Sequence, residues 1–149
     1  MTLPDENQEA INTTLEQQIP LPRIFISHSK NQEWCATFLH EFRKHGYDVW
    51  CDFDSLKAGQ TWVQEIEKEI AKREIFIILL TAESQESVWV NQEIDMAHLA
   101  GGKCIIPVIC ERLNQPVRLL LKRCQMIDAI NCGPQESALK IMNDIQFMI

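Results

Sequence analysis

The chain has 149 residues, which is the length of one ordinary domain and too short for two. Hydrophobic residues make up 46% of it and charged residues 23%, a composition typical of a globular protein with a real core. The formal net charge is −7, which argues against binding to nucleic acid or to an anionic membrane, because either needs a basic surface. The longest apolar run, residues 75–80, is far shorter than the roughly 20 residues that span a bilayer.

The six cysteines are scattered, without a CxxC pair or a histidine cluster at zinc-finger spacing. Several of them stand inside apolar runs, where a thiol behaves as a small hydrophobic side chain. The first twenty residues carry no signal-peptide pattern. These observations predict reduced thiols, no metal site and a cytoplasmic protein.

Residues 1–21 are predicted to be a polar leader, flexible or a short helix, and residues 22–149 to be the folded domain, because strands and helices alternate from there. The predicted strands are 24–26, 47–51, 75–80, 104–110 and 125–130. The predicted helices are 32–45, a helix that begins at Thr61, 87–100 and 134–148. The second of these helices is expected to point four side chains inward, those of Trp62, Val63, Ile66 and Ile70. Pro107 indicates a bulge or a position near the sheet edge.

This alternation predicts a parallel sheet with helices on both faces. Right-handed crossovers then restrict the topology to a doubly wound, flavodoxin-like α/β fold of five strands in the order 2-1-3-4-5. In such sheets, ligands bind beyond the carboxyl ends of the strands, at the switch point between the first and third. Three segments are predicted to lie there, namely 27–30, 52–59 and 81–93.

Glu93 stands out because it falls on the apolar face of the predicted helix 87–100. At about 100° per residue, it shares that face with Trp89, Met96, Ala97 and Ala100. A buried carboxylate without a partner costs several kcal/mol or takes up a proton, so we expect Glu93 to line the ligand crevice. Alternatively, Glu93 pairs with Arg23, Lys30 or a backbone amide and only orders the loops.

Other catalytic motifs are weaker. A Ser/His/Asp triad could be sought in Ser27, His28 and the loop acids Asp52 and Asp54. The sequence has no G-x-S-x-G elbow, however, and a His directly after a Ser points to the other side of an extended chain. A hydrolytic triad is therefore not expected. The sequence contains neither GxGxxG nor GxxxxGK[ST], so a dinucleotide fingerprint and a P-loop are absent.

Several segments, in the expected order, resemble a Toll/interleukin receptor (TIR) domain of the bacterial type, over residues 22–149. Arg23–Ser29 resembles the first box of that family. Gly46–Trp62 resembles its second strand, BB loop and following helix start. Ser87–Glu93 resembles the segment that carries the catalytic Glu of NAD-cleaving members, including the W-x-x-x-E spacing, and Ile105–Val108 matches the fourth strand. The BB loop lacks the Pro of animal receptors and the Phe-Trp box is absent, which weakens a receptor-adaptor role more than an enzymatic one.

The resemblance implies an NAD+ nucleosidase in which Glu93 binds the ribose and stabilises the positive charge that develops as the nicotinamide–ribose bond breaks. NAD+ would be the substrate, and no cofactor would be needed. The products would be nicotinamide with ADP-ribose or a cyclised form, depending on which atom captures the intermediate. The resemblance and the predicted crevice together suggest eight substrate-binding residues: Ser27, His28, Ser29, Asp52, Phe53, Trp62, Ser87 and Trp89.

The resemblance also implies self-association through the segment Asp52–Gly59 and a role in bacterial immune or cell-death signalling. Such domains usually accompany a sensor domain, so the chain is either a stand-alone unit or a piece of a longer protein.

Two other functions stay open at this point. One is a TIR scaffold that signals by assembly alone, with Glu93 idle, and the other is a nucleoside-processing transferase, which has a similar sheet and also a catalytic Glu.

Overall fold

The computed structural model describes residues 20–29, 32–51 and 62–148. In these ranges the strands are β1 (Ile24–Ser27), β2 (Val49–Trp50), β3 (Ile75–Leu80), β4 (Cys104–Ile109) and β5 (Ile127–Asp128). The helices are α1 (Gln32–Lys44), α2 (Trp62–Ala71), α3 (Ala82–Glu86), α4 (Val88–Ala100), α5 (Leu119–Lys122) and α6 (Gly133–Met148). None of the helices in the described ranges is long and apolar enough to cross a membrane.

The five strands form one sheet in the order β2-β1-β3-β4-β5, and every neighbouring pair is parallel. This arrangement confirms the predicted doubly wound, flavodoxin-like fold. All six residues of β3 are buried. The uninterrupted apolar run of β3 is what a central strand needs, because helices cover it on both faces.

Two apolar clusters cover the two faces of the sheet. The cluster on the α1 and α6 side includes Ile24, Ile26, Ile75, Ile77 and Leu79. The cluster on the α2 and α4 side includes Phe25, Phe76, Ile78, Leu80, Ile66 and Ile94. Because successive strand residues point to opposite faces, Ser27 shares the face of Phe25 and points toward α2 and α4.

The ends of several elements differ from the sequence-based predictions. The strands β2 and β5 have only two residues each, because a strand ends where its pairing with the neighbour ends. Val63 is 46% exposed, so its predicted inward position is wrong. Among the described side chains of α2, the buried ones are Ile66, Glu69 and Ile70. Ala100 is also exposed, since it ends α4 just before the chain turns at Gly101.

Pro107 lies in an unbroken parallel register opposite Ile78, so β4 has no bulge there. The backbone N–H groups of Cys104 and Cys110 both donate to the β3 side. By alternation, the position where Pro107 has no N–H faces the β5 side, and pairing with β5 begins only at Val108. Pro107 therefore occupies a local edge of the sheet, as the sequence predicts.

Candidate functional site

The carboxyl ends of β1 and β3 bring two of the predicted site segments together. The hydroxyl oxygens of Ser29 and Thr81 lie 3.2 Å apart. Thr81 also caps α3, because its hydroxyl accepts from the backbone N–H of Ser84 at 3.0 Å and the Ser84 hydroxyl accepts from the N–H of Thr81 at 2.8 Å. The loop after β1 is thus tied to the beginning of α3.

Glu93 reaches from α4 to the end of β1. Only 1% of its surface is exposed, and it shares the buried face of α4 with Val90, Ile94 and Ala97. The hydroxyl of Ser27, itself completely buried, donates to Oε1 of Glu93 at 3.3 Å. Arg23 is not the partner of Glu93, because it lies before β1 and pairs with Glu74 at 3.0 Å. The structure therefore brings Ser27 and Glu93 into contact.

Ser87 and Trp89 stand at the beginning of α4. The hydroxyl of Ser87 accepts from the backbone N–H of Val90 at 3.2 Å, so Ser87 is the N-cap of the helix. Trp89 is half-buried and packs against the apolar cluster on the α2 and α4 side of the sheet. These contacts fix the first turn of α4, just before Glu93. That Ser87 and Trp89 contact the substrate stays a prediction.

His28 points to the opposite face of the sheet from Ser27, so the two do not form a Ser–His pair. Its Nδ1 lies 2.6 Å from the carbonyl oxygen of Ser29. A carbonyl can only accept, so Nδ1 carries the proton. His28 lines a pocket with Ser29, Trp34, Leu79, Thr81 and Cys110.

Cys110 in this pocket is not a nucleophile at neutral pH. Burial, with a smaller contribution from Glu111, raises the pKa of Cys110 to about 12. Since the thiolate is the reactive form, the thiol stays protonated and unreactive.

Several predicted site residues lie outside the described part of the chain. These are Lys30, Asp52, Phe53 and the rest of the segment Asp52–Gly59, together with the side chain of Trp62. Their contribution to the site stays a prediction. Across residues 20–29, 32–51 and 62–148, no group of three or more His, Cys, Asp or Glu side chains could hold a metal ion.

Sequence reasoning missed the contacts that hold α3 and α4 from outside. The irregular segment 111–118 contacts both helices. Its Glu111 side chain accepts from the first residue of α3, and its Gln115 carbonyl oxygen accepts from Gln85 of α3. Its Arg118 side chain donates to Asp95 of α4. An irregular segment has no periodicity, so no pattern in the sequence indicates what it contacts. Of these side chains, that of Arg118 contacts α4, the helix that carries Glu93, through Asn91 and Asp95.

Two curated proteins with similar sequences have names that describe one chemistry. The chain is 24% identical over 109 residues to the 2' cyclic ADP-D-ribose synthase AbTIR of Acinetobacter baumannii, which covers 70% of this chain and 40% of that protein. It is 28% identical over 74 residues to the probable 2' cyclic ADP-D-ribose synthase TcpO of Methanobrevibacter olleyae, covering 48% of this chain and 22% of that protein. The chain thus spans less than half the length of either relative.

The fold is also similar to that of a solved receptor domain. The TIR domain of the Toll-related receptor TRR-2 from Hydra magnipapillata superimposes with a TM-score of 0.70 at 13% identity, covering 84% of this chain and 98% of that one. At that identity the likeness shows the fold alone. A family model described as TIR domain matches residues 24–141. Because that match runs from β1 into α6 and includes both Ser27 and Glu93, the protein belongs to the TIR domain family.

Proposed function

We propose that the protein cleaves the bond between nicotinamide and ribose in NAD+. The observation that carries the proposal is the buried carboxylate of Glu93, 3.3 Å from the hydroxyl of Ser27 at the carboxyl end of β1. Ligands of doubly wound sheets bind at this edge, between the first and third strands. The two relatives named as cyclic ADP-ribose synthases support the same chemistry, since cyclic ADP-ribose is what NAD+ becomes when nicotinamide leaves and the ribose is captured internally.

Glu93 would stabilise the charge that develops on the ribose. As the bond to nicotinamide breaks, positive charge appears at C1′ and the ring oxygen, and a fixed carboxylate in a water-poor site stabilises it. Nicotinamide leaves as a neutral molecule, so the reaction requires no strong general acid. Ser27 would orient the carboxylate through Oε1, while Ser29 and Trp89 would shape the pocket beside it.

The burial of Glu93 bears on how the enzyme is switched on. A carboxylate with 1% exposure meets a substrate only after its surroundings move. We propose that self-association through Asp52–Gly59 favours the open, competent arrangement, so the isolated domain is weakly active.

The proposed role is in bacterial immune or cell-death signalling in the cytoplasm. Expression in a bacterium should then lower cellular NAD+, whereas expression of Glu93→Gln should not.

The direct test is to incubate the protein with NAD+ over an about hundredfold range of protein concentration and to quantify nicotinamide, ADP-ribose and cyclic ADP-ribose by chromatography. We expect nicotinamide release, with specific activity rising with protein concentration. Absence of nicotinamide at every concentration contradicts the enzyme and favours a TIR domain that acts by assembly alone. Specific activity that stays flat contradicts only the activation by self-association. The ratio of linear to cyclic product decides between hydrolysis and cyclisation.

A further inference from the structure

The segment between β4 and α5, residues 111–118, lies across α3, and we call it the strap. At one end, Oε1 of Glu111 accepts from the backbone N–H of Ala82, the first residue of α3, at 3.0 Å. Further along, Nε2 of Gln85 donates to the carbonyl oxygens of Gln115 and Pro116 at 2.9 and 3.4 Å. The strap is therefore fixed to both ends of the short helix that precedes α4.

Arg118, the last residue of the strap, holds α4 itself. Its Nη2 donates to Oδ1 of Asp95 at 2.8 Å, and its Nη1 donates to Oδ1 and to the carbonyl oxygen of Asn91 at 3.3 and 3.4 Å. Asn91 in turn donates to the carbonyl oxygen of Ser87, the N-cap of α4, at 2.9 Å. One guanidinium thus joins the strap to two successive turns of α4 and, through Asn91, to its cap.

These contacts lie on the side of α4 opposite to the carboxylate. Asn91 and Asp95 stand two residues before and two residues after Glu93, and at about 100° per residue both project away from it. Arg118 therefore holds the outer face of α4 while Glu93, on the inner face, contacts Ser27. Loss of the outer contact would let the helix rotate or shift outward, which moves the carboxylate directly.

The strap and α4 also border a common pocket. Its polar lining includes Gln85, Asn91 and Arg118, and its apolar lining includes Ile78, Ile94 and Leu121. These three apolar side chains are buried in the cluster on the α2 and α4 side of the sheet. Packing therefore holds the inner face of α4, and the hydrogen bonds of Arg118 hold its outer face.

We propose that Arg118 is a positioning residue, which sets where α4 presents the carboxylate of Glu93 to the substrate. This inference rests on the proposed NAD+ cleavage. The side chains of Arg118 and Asp95 are 40% and 54% exposed, and ion pairs at such exposure contribute little to stability. A small displacement of a catalytic group, in contrast, lowers the rate strongly. Turnover and stability should therefore respond differently to the loss of Arg118.

The test compares Arg118→Gln and Arg118→Lys with Arg112→Gln, which removes the same charge from an exposed position of the strap. We expect Arg118→Gln to lower kcat for nicotinamide release about tenfold, with KM changed less than about twofold. Its melting temperature should change by less than about 3 °C. Arg118→Lys should be intermediate, because one ammonium does not reproduce the fork that contacts Asn91 and Asp95 together. Arg112→Gln should match the wild type.

Amide hydrogen exchange of residues 90–93 gives a readout that does not depend on activity. We expect these amides to exchange about tenfold faster in Arg118→Gln than in the wild type or in Arg112→Gln. If the wild type releases no nicotinamide, the proposed function is wrong, while the exchange still tests the strap. Unchanged kcat and exchange in Arg118→Gln would overturn the inference. A fall in melting temperature of more than about 10 °C would also overturn it, because Arg118 would then be structural.

Discussion

Glu69 and Glu93 are both buried glutamates on the same side of the sheet, but they have different partners at opposite edges. Their exposures are 6% and 1%. At the amino edge, the carboxylate of Glu69 accepts from Arg73 at 3.1 Å and forms an ion pair with Lys72 at 2.9 Å, so cations compensate its charge. At the carboxyl edge, Glu93 accepts from a neutral hydroxyl, that of Ser27. This hydroxyl orients the carboxylate at the end of β1, the edge at which ligands of doubly wound sheets bind.

The network around Glu69 has an evident structural role. Arg73 is 5% exposed, and its Nη1 donates to the carbonyl oxygens of Ile24 and Asp48 at 3.1 and 3.0 Å. It therefore joins α2 to the beginnings of β1 and β2. Burial alone does not distinguish a catalytic carboxylate from a structural one in this fold. The edge of the sheet at which the carboxylate lies does, because ligands of doubly wound sheets bind at the carboxyl ends of the strands.

Loss of Arg73 should have the largest effect on stability. Arg73→Met leaves Glu69 buried without its arginine, so we expect the free energy of unfolding to fall by about 3–5 kcal/mol. Urea denaturation measures this change. Replacing both partners, with Glu69→Leu added to Arg73→Met, should recover the part of the loss that is due to the unpaired buried carboxylate. The part due to the carbonyl oxygens of Ile24 and Asp48, which lose their donor in both variants, should remain. A loss below about 1 kcal/mol in the single variant would show that the pair is not structural.

Removal of the Ser27 hydroxyl should have an intermediate effect. Ser27→Ala takes a hydrogen bond from a buried carboxylate, so stability should fall by about 1–2 kcal/mol and nicotinamide release about tenfold. Ser137→Ala is the matched control, because Ser137 is equally buried and its hydroxyl donates to the carbonyl oxygen of Pro134 on α6. It should lose stability and keep its turnover. Equal turnover in the two variants would argue against an orienting role for Ser27.

The smallest expected effect on stability concerns the exposed ion pair between Arg23 and Glu74 at the amino edge of the sheet. Burial alone would raise the pKa of Glu74, but hydrogen bonds from the side chain and backbone of Arg23 outweigh it and lower that pKa. The unfolded chain then binds a proton more readily than the folded one, so this contribution to stability is present above the unfolded pKa of about 4.5 and is lost as pH falls further. Glu74→Gln should flatten the dependence of stability on pH in that acidic window. Equal slopes in the two proteins would mean that the pair contributes nothing.

The fold follows from sequence patterns that act locally. The apolar run of β3 and the glycine after α1, Gly46 with φ 87°, mark elements whose ends depend on nearby residues. The two-residue strand β2 and the exposed Val63 were not predictable in this way, because pairing and burial there depend on distant elements.

The buried position of Glu93 was predictable in the same way, because a charge on an apolar helical face is visible in the sequence. Glu69 occupies the same kind of position between Ile66 and Ile70, and the arginine four residues later was a readable sign of an ion pair. The contacts of Arg118 with Asn91 and Asp95 were not readable, because an irregular segment brings them together.

We propose that Glu93 acts on the substrate and that Glu69 stabilises the fold. The most direct measurement is nicotinamide release and melting temperature on the same samples of Glu93→Gln and Glu69→Gln. We expect Glu93→Gln to lose about 10²–10³ in turnover while its melting temperature stays near that of the wild type, because the amide keeps the size but not the charge. Glu69→Gln should melt at a lower temperature and keep its turnover per folded molecule. Unchanged turnover in Glu93→Gln, or a collapse of its fold together with its turnover, would contradict the account.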